Sequence, residues 1–124
     1  MEPEINKPDH GMLMHIIHAL GYSWAGMKAA IKYEESFRIE LILVVLLFPL
    51  GLWLGESAIE RVLFILPLLL VLITELLNSA METTVDRIST EHHALSGRAK
   101  DIGSTACFLS QATVVIVWVI LLLD

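Results

Sequence analysis

Cysteine is nearly absent from this 124-residue chain: Cys107 stands alone inside an apolar run, which excludes an intrachain disulfide and any need for an oxidising compartment. Charge is scarce as well. Only 18% of residues are charged, against 56% hydrophobic, and a mean hydropathy of +0.70 is too high for an ordinary soluble domain. The net charge of −6 is spread along the chain and excludes the basic footprint of a nucleic-acid partner. No internal repeat or low-complexity region is visible, and no phosphate-binding glycine loop of the GxxxxGK[ST] or GxGxxG type occurs. A protein-kinase catalytic loop is missing too. Ahead of the first apolar stripe, residues 1–10 carry two prolines and three acids, and read as a disordered lead with no signal peptide.

What is present is long uncharged sequence. The 22 residues from Ile102 to Leu123 carry no charge, enough to cross a hydrocarbon core of about 30 Å at about 1.5 Å per residue. Two shorter uncharged runs, Leu41 to Gly55 and Val62 to Thr74, extend naturally to spanning length. The first gains Phe37 to Glu40, where Arg38 can snorkel to the headgroups. The second continues through Glu75 to Met81. A chain this small holds too little surrounding protein to bury three such segments away from lipid. The expectation is one all-α membrane domain over 1–124, with spans at about 37–55, 60–81 and 102–123. Pro49 and Pro67 fall inside spans, where neighbouring helices tolerate a kink. Gly55, Glu56 and Ser57 make a tight connection, and Glu82 to Asp101 is a polar stretch between the second and third spans.

Upstream, Leu13, Ile16, Ile17, Leu20, Trp24, Met27 and Ile31 follow one another at helical spacing on a single stripe. This predicts an amphipathic surface helix over 12–34, lying in the membrane interface. Gly21 and Gly26 weaken it and suggest a bend. Seven of the eight basic residues fall on one side of the expected spans, Arg61 alone on the other. The positive-inside rule places the N-terminus in the cytosol and the C-terminus outside.

Glu75 carries the most information, because it interrupts an apolar run where a charge is costly. Asn78, Glu82 and Asp86 follow at steps of three, four and four, so all four share one helical stripe. The buried end of this ladder suits a general base, since withdrawal from water strengthens a carboxylate's hold on a proton. Its wetter end suits Mg²⁺, which takes one or two carboxylates together with substrate phosphates. Spacing alone leaves enzyme chemistry, proton or ion conduction, and a structural hydrogen-bond network between helices all open. Glu34 lies on the same side as Glu82, within the charged cluster Lys32 to Glu40. Ser96-Gly97-Arg98-Ala99-Lys100-Asp101 sets two cations beside a glycine, as a polyphosphate site or a positive-inside anchor. His92 and His93 lack partners at metal-ligand spacing.

Through Glu75-Leu-Leu-Asn78-Ser-Ala-Met-Glu82, Val85-Asp86-Arg87 and Leu95-Ser-Gly-Arg-Ala-Lys100-Asp101-Ile-Gly-Ser104, the chain resembles the prokaryotic diacylglycerol kinase family. Gly21-Tyr22-Ser23-Trp24 and Phe37-Arg38 match upstream, with Glu34 and Glu40 at the corresponding places. The resemblance implies a homotrimeric inner-membrane lipid kinase that transfers the γ-phosphoryl of MgATP to diacylglycerol. It implies Glu75 as the base, Glu34 and Glu82 as carriers of Mg²⁺ on the ATP phosphates, Lys100 at phosphate and Asp101 at the nucleoside. Asn78, Glu40, Ser104 and Trp24 are implied as positioning or substrate-binding residues. Where relatives often carry basic residues on the surface helix, this chain has His15 and His18. An undecaprenol kinase of the same architecture is the neighbouring alternative, and a small proton or ion conductor the alternative of another class.

Overall fold

A computed structural model describes residues 11–124; the lead expected over 1–10 lies outside the described residues. Four helices follow one another: α1 Met12–Tyr33, α2 Glu35–Leu54, α3 Ala58–Ile88 and α4 Ala94–Leu123. No strand occurs among the described residues. The last three helices are each long and apolar enough to cross a membrane. α3 is the centre of the bundle, packed against α2 on one side and α4 on the other. Accordingly 33% of its apolar window is buried within the chain, against 17% for α2 and for α4. The remaining apolar surface points outward, as a lipid solvent requires.

The α1–α2 break is a single residue. Glu34 takes an extended conformation, donates its backbone N–H to Ala30 O at 3.0 Å, and receives the Arg38 N–H at 3.1 Å. Neither glycine nor proline makes this corner. Instead Arg38 folds back, its Nη1 donating to the carbonyls of Ile31 (3.0 Å) and Lys32 (3.1 Å). The guanidinium expected to snorkel thus caps the last carbonyls of α1. α1 runs unbroken through Gly21 and Gly26. Its stripe of Leu13, Ile16, Ile17, Leu20, Trp24 and Ile31 stays exposed, with Met27 half-buried. An apolar face turned away from the bundle fits an interfacial helix and not a packed core helix.

The α2–α3 turn closes where it was expected. Ser57 caps α3, its hydroxyl accepting the Glu60 N–H at 3.1 Å, while the Glu60 carboxylate takes the Glu56 N–H at 2.6 Å. This is a close relative of the capping box. Arg61 Nε donates to Leu52 O at 3.1 Å and ties the turn to the end of α2. Gly55 packs so tightly on Arg61 that a Cβ would lie 2.9 Å from the Arg61 backbone nitrogen.

Within the bundle, Phe37, Val44 and Gly51 of α2 meet Phe64, Pro67, Leu68 and Val71 of α3 in the buried layer. Trp118 of α4 packs edge-on against Phe64, with ring centroids 4.8 Å apart, and donates its indole N–H to Phe64 O at 3.1 Å. The donor that Pro67 lacks would have served the carbonyl of Leu63, one residue earlier, so the Trp118 contact ties α4 to α3 beside the proline position. The helices outrun the expected spans chiefly on one side. α3 continues past Met81 to Ile88, and α4 begins at Ala94, so only residues 89–93 of the expected polar stretch separate them. No glycine or proline interrupts 82–88, and the Thr83 and Thr84 hydroxyls fold onto the carbonyls of Ser79 and Ala80. His93, which lacked a metal partner in sequence, caps α4 through Nδ1, accepting the Leu95 N–H at 3.0 Å.

Candidate active site

The acidic ladder of α3 opens onto a cavity of about 390 Å³ lined by Glu34, Glu40, Glu75, Asn78, Glu82 and Ser104 among others. Three elements converge there. Glu34 comes from the α1–α2 corner, Glu40 from the second turn of α2, and Ser104 from α4. Glu75 lies deepest, only 7% exposed, whereas Glu82 two turns along is half-buried. Spacing set these carboxylates on one stripe, and the packing of α2 and α4 against α3 encloses it.

Asn78 is held from two sides. Its amide donates to Glu82 Oε1 at 3.2 Å. Its Oδ1 is buried against Gly103 without a hydrogen-bond partner, and a Cβ on Gly103 would collide with it. The absent side chain at Gly103 is what lets α4 approach α3 beside the site. Deeper in, the Thr74 and Ser110 hydroxyls lie 2.8 Å apart, bridging α3 and α4, and Ser110 donates to Cys107 O at 2.7 Å. Such interhelical polar contacts tie spanning helices together where apolar burial supplies little drive.

Three residues expected at the site stand apart from the cavity. Lys100 forms an ion pair with Asp86 at 2.8 Å, across α4 and α3, so the last rung of the ladder is engaged with a cation. Asp101 is exposed on the next position of α4, and Trp24 is exposed on α1, where Lys28 Nζ lies 5.7 Å from its ring. Other residues enter without having been expected. Ser36, Cys107, Phe108 and Gln111 complete the lining, and Gln111 donates to Glu40 Oε1 at 2.8 Å. Gln111 is the sole amide in the 22-residue uncharged run, a signal comparable to that of Glu75.

No cluster of three or more His, Cys, Asp or Glu able to cage a metal exists among the described residues. Glu34 and Glu82 nevertheless share one cavity and offer only hard oxygen donors. That set suits Mg²⁺ delivered with a polyphosphate, which needs few protein ligands.

Three helices long and apolar enough to span a membrane, with Glu75 buried and Glu34, Glu40 and Glu82 half-buried around one cavity, mark an integral membrane enzyme whose sequence has no glycine-rich nucleotide-binding loop. Residues 21–122 match the prokaryotic diacylglycerol kinase family. The chain is 53% identical over 106 residues to a diacylglycerol kinase of Haemophilus influenzae, covering 86% of this chain and 90% of that protein. A diacylglycerol kinase of Escherichia coli is 51% identical over 107 residues, covering 86% and 88%. One of Pseudomonas aeruginosa is 46% identical over 123 residues, covering 99% of both. The chain belongs to the prokaryotic diacylglycerol kinase family. It is a membrane protein and a kinase, and the ion-conductor reading falls with that membership.

Proposed function

We propose that this chain phosphorylates the primary hydroxyl of diacylglycerol with MgATP, giving phosphatidic acid at the boundary between the inner membrane and the cytosol. The observation that carries the reading is the shared cavity: Glu75 buried at its floor, Glu34 and Glu82 nearer the polar ends of the helices. A lipid cannot leave the bilayer and ATP cannot enter it, so the two meet only at such a boundary.

In this reading the substrate hydroxyl oxygen attacks the γ-phosphorus. A new O–P bond forms, the bond to the β-phosphate oxygen breaks, and ADP leaves. Glu75 takes the hydroxyl proton at a carboxylate oxygen. Glu34 and Glu82 would hold Mg²⁺, which when bound neutralises phosphate charge. Asn78 orients Glu82 through their hydrogen bond. Lys100, on releasing Asp86, meets phosphate, and Asp101 meets the nucleoside. Glu40 and Ser104 position the lipid, and Trp24 anchors α1 at the headgroup level. Phosphoryl transfer depends chiefly on positioning and charge neutralisation, which these groups supply without a P-loop.

The proposal extends to a homotrimer with a cytosolic N-terminus. Ser104, Phe108 and Gln111 are exposed on the single chain although they line the cavity, which leaves one wall for a second copy to close. The test is transfer of labelled phosphate from MgATP to diacylglycerol and to undecaprenol in mixed micelles. Labelled phosphatidic acid is expected with wild type and is lost with Glu75→Gln. Labelling of undecaprenol alone would move the chain to the polyprenol branch.

A further inference from the structure

The acidic cavity does not end at Glu40. A second, apolar groove of about 450 Å³ runs along the outside of the bundle between α2, α3 and α4, lined by Leu43, Val44, Leu47, Leu68, Val71 and Val114. Both spaces share Ser36, Glu40 and Gln111 in their walls. The Glu40–Gln111 pair is therefore the neck between a polar chamber and an apolar one. The pair joins positions 71 residues apart, and its geometry leaves one atom over: Glu40 Oε1 accepts the Gln111 amide at 2.8 Å, while Oε2 is buried with no hydrogen-bond partner. A buried carboxyl oxygen without a partner is costly, and a ligand group that supplies one relieves that cost.

We propose that Gln111 is a positioning residue for the lipid. By holding one oxygen of Glu40, it sets the other at the neck to hydrogen-bond the glycerol backbone, while one acyl chain lies in the apolar groove. The inference rests on the lipid-kinase reading and adds where the lipid body sits. The occupant follows from continuity. A molecule whose reacting hydroxyl is polar and whose tail is apolar has its two parts matched by two connected spaces of those characters, joined at a polar neck. The groove also lies on spanning helices, so a chain enters it sideways from the bilayer without crossing water. Gln111 acts through Glu40 and has no part in the proton or phosphoryl steps.

Gln111→Met keeps side-chain length and removes the amide. The expected result is a KM for dioleoylglycerol raised about tenfold, the worth of one hydrogen bond to a charged group, with the KM for MgATP unmoved and kcat at saturating lipid largely kept. Leu43→Trp, which fills the groove, is expected to raise the KM for dioleoylglycerol while sparing that for dihexanoylglycerol. A dioleoylglycerol analogue with its free hydroxyl replaced by hydrogen provides the direct measurement, its Kd read in micelles for each variant. Weaker binding in Gln111→Met upholds the inference even if no phosphate is transferred, an outcome that would overturn only the kinase reading. Unchanged lipid KM and analogue Kd in Gln111→Met, or equal losses for both chain lengths in Leu43→Trp, would overturn it.

Discussion

Lys100 and Asp86 hold α4 to α3 by a 2.8 Å ion pair just beyond the acidic cavity, one cation set against the outermost rung of a carboxylate ladder. Both side chains are about half exposed, 42% and 52%, so water screens the pair and its effect on stability is small. Lys100→Met is expected to leave the melting temperature in detergent nearly unchanged. The KM for MgATP should rise about tenfold or more, through loss of a charge-assisted contact. Steady-state kinetics beside a thermal melt decide this. A large drop in melting temperature with normal nucleotide affinity would make the pair structural.

Glu75→Gln preserves shape and removes the proton acceptor. The expected kcat falls by about 10²–10⁴-fold, the usual contribution of a positioned base. Folding should persist, because an amide is less costly to bury than a carboxylate. Circular dichroism and size-exclusion profiles matching wild type would show that the loss is chemical.

Gly103 and Gly21 should respond oppositely to added bulk. A Cβ at Gly103 runs into Asn78 and approaches Met81 Cε at 2.7 Å, whereas nothing lies within 4 Å at Gly21. Gly103→Val is expected to destabilise by about 1–3 kcal/mol through overpacking, and to lower activity by displacing Asn78. Gly21→Ala is expected to stabilise by up to about 1 kcal/mol, as helix propensity predicts. Unfolding in mixed micelles monitored for both variants tests the contrast.

Removal of the Ser57 cap isolates the α2–α3 turn. Ser57→Ala deletes the acceptor of the Glu60 N–H and is expected to cost about 1 kcal/mol. Kinetic constants should hold, since no residue of the turn lines the acidic cavity. A loss of activity without a loss of stability would show that the two ends are coupled.

Divalent metal should be needed for turnover and not for folding, because no multi-carboxylate cage exists among the described residues. EDTA is expected to abolish phosphate transfer while leaving the melting curve in place. Glu82→Gln should demand a higher Mg²⁺ concentration for half-maximal rate.

The spans and the stripe of Glu75, Asn78 and Glu82 were legible because charge in an apolar run and a repeat of three and four are local signals. Helix ends were less so. The expected polar stretch from Glu82 onward contains no breaker before Gly97, and nothing in its polarity told a helix rising into water from a loop. Contacts across helices were hidden in another way. That Lys100 turns to Asp86, that Arg38 caps α1, and that Gln111 reaches Glu40 depend on helix rotation and depth. One chain's periodicity does not encode these. Gln111 alone advertised itself, as an amide where every neighbour is apolar or small.

At 20 residues, α2 is about 30 Å long at about 1.5 Å per residue, close to the thickness of the hydrocarbon layer it crosses. Its lower end is pinned by the one-residue corner at Glu34 and its upper end by the capped turn at Ser57, so it has no slack to take up. The bilayer then acts as a ruler. Thickening it must thin the lipid around the bundle or draw the acidic chamber below the headgroups, and thinning it tilts the bundle or lifts Glu75 toward water. Membrane thickness is then expected to act on the rate, through the depth at which the acidic chamber is held.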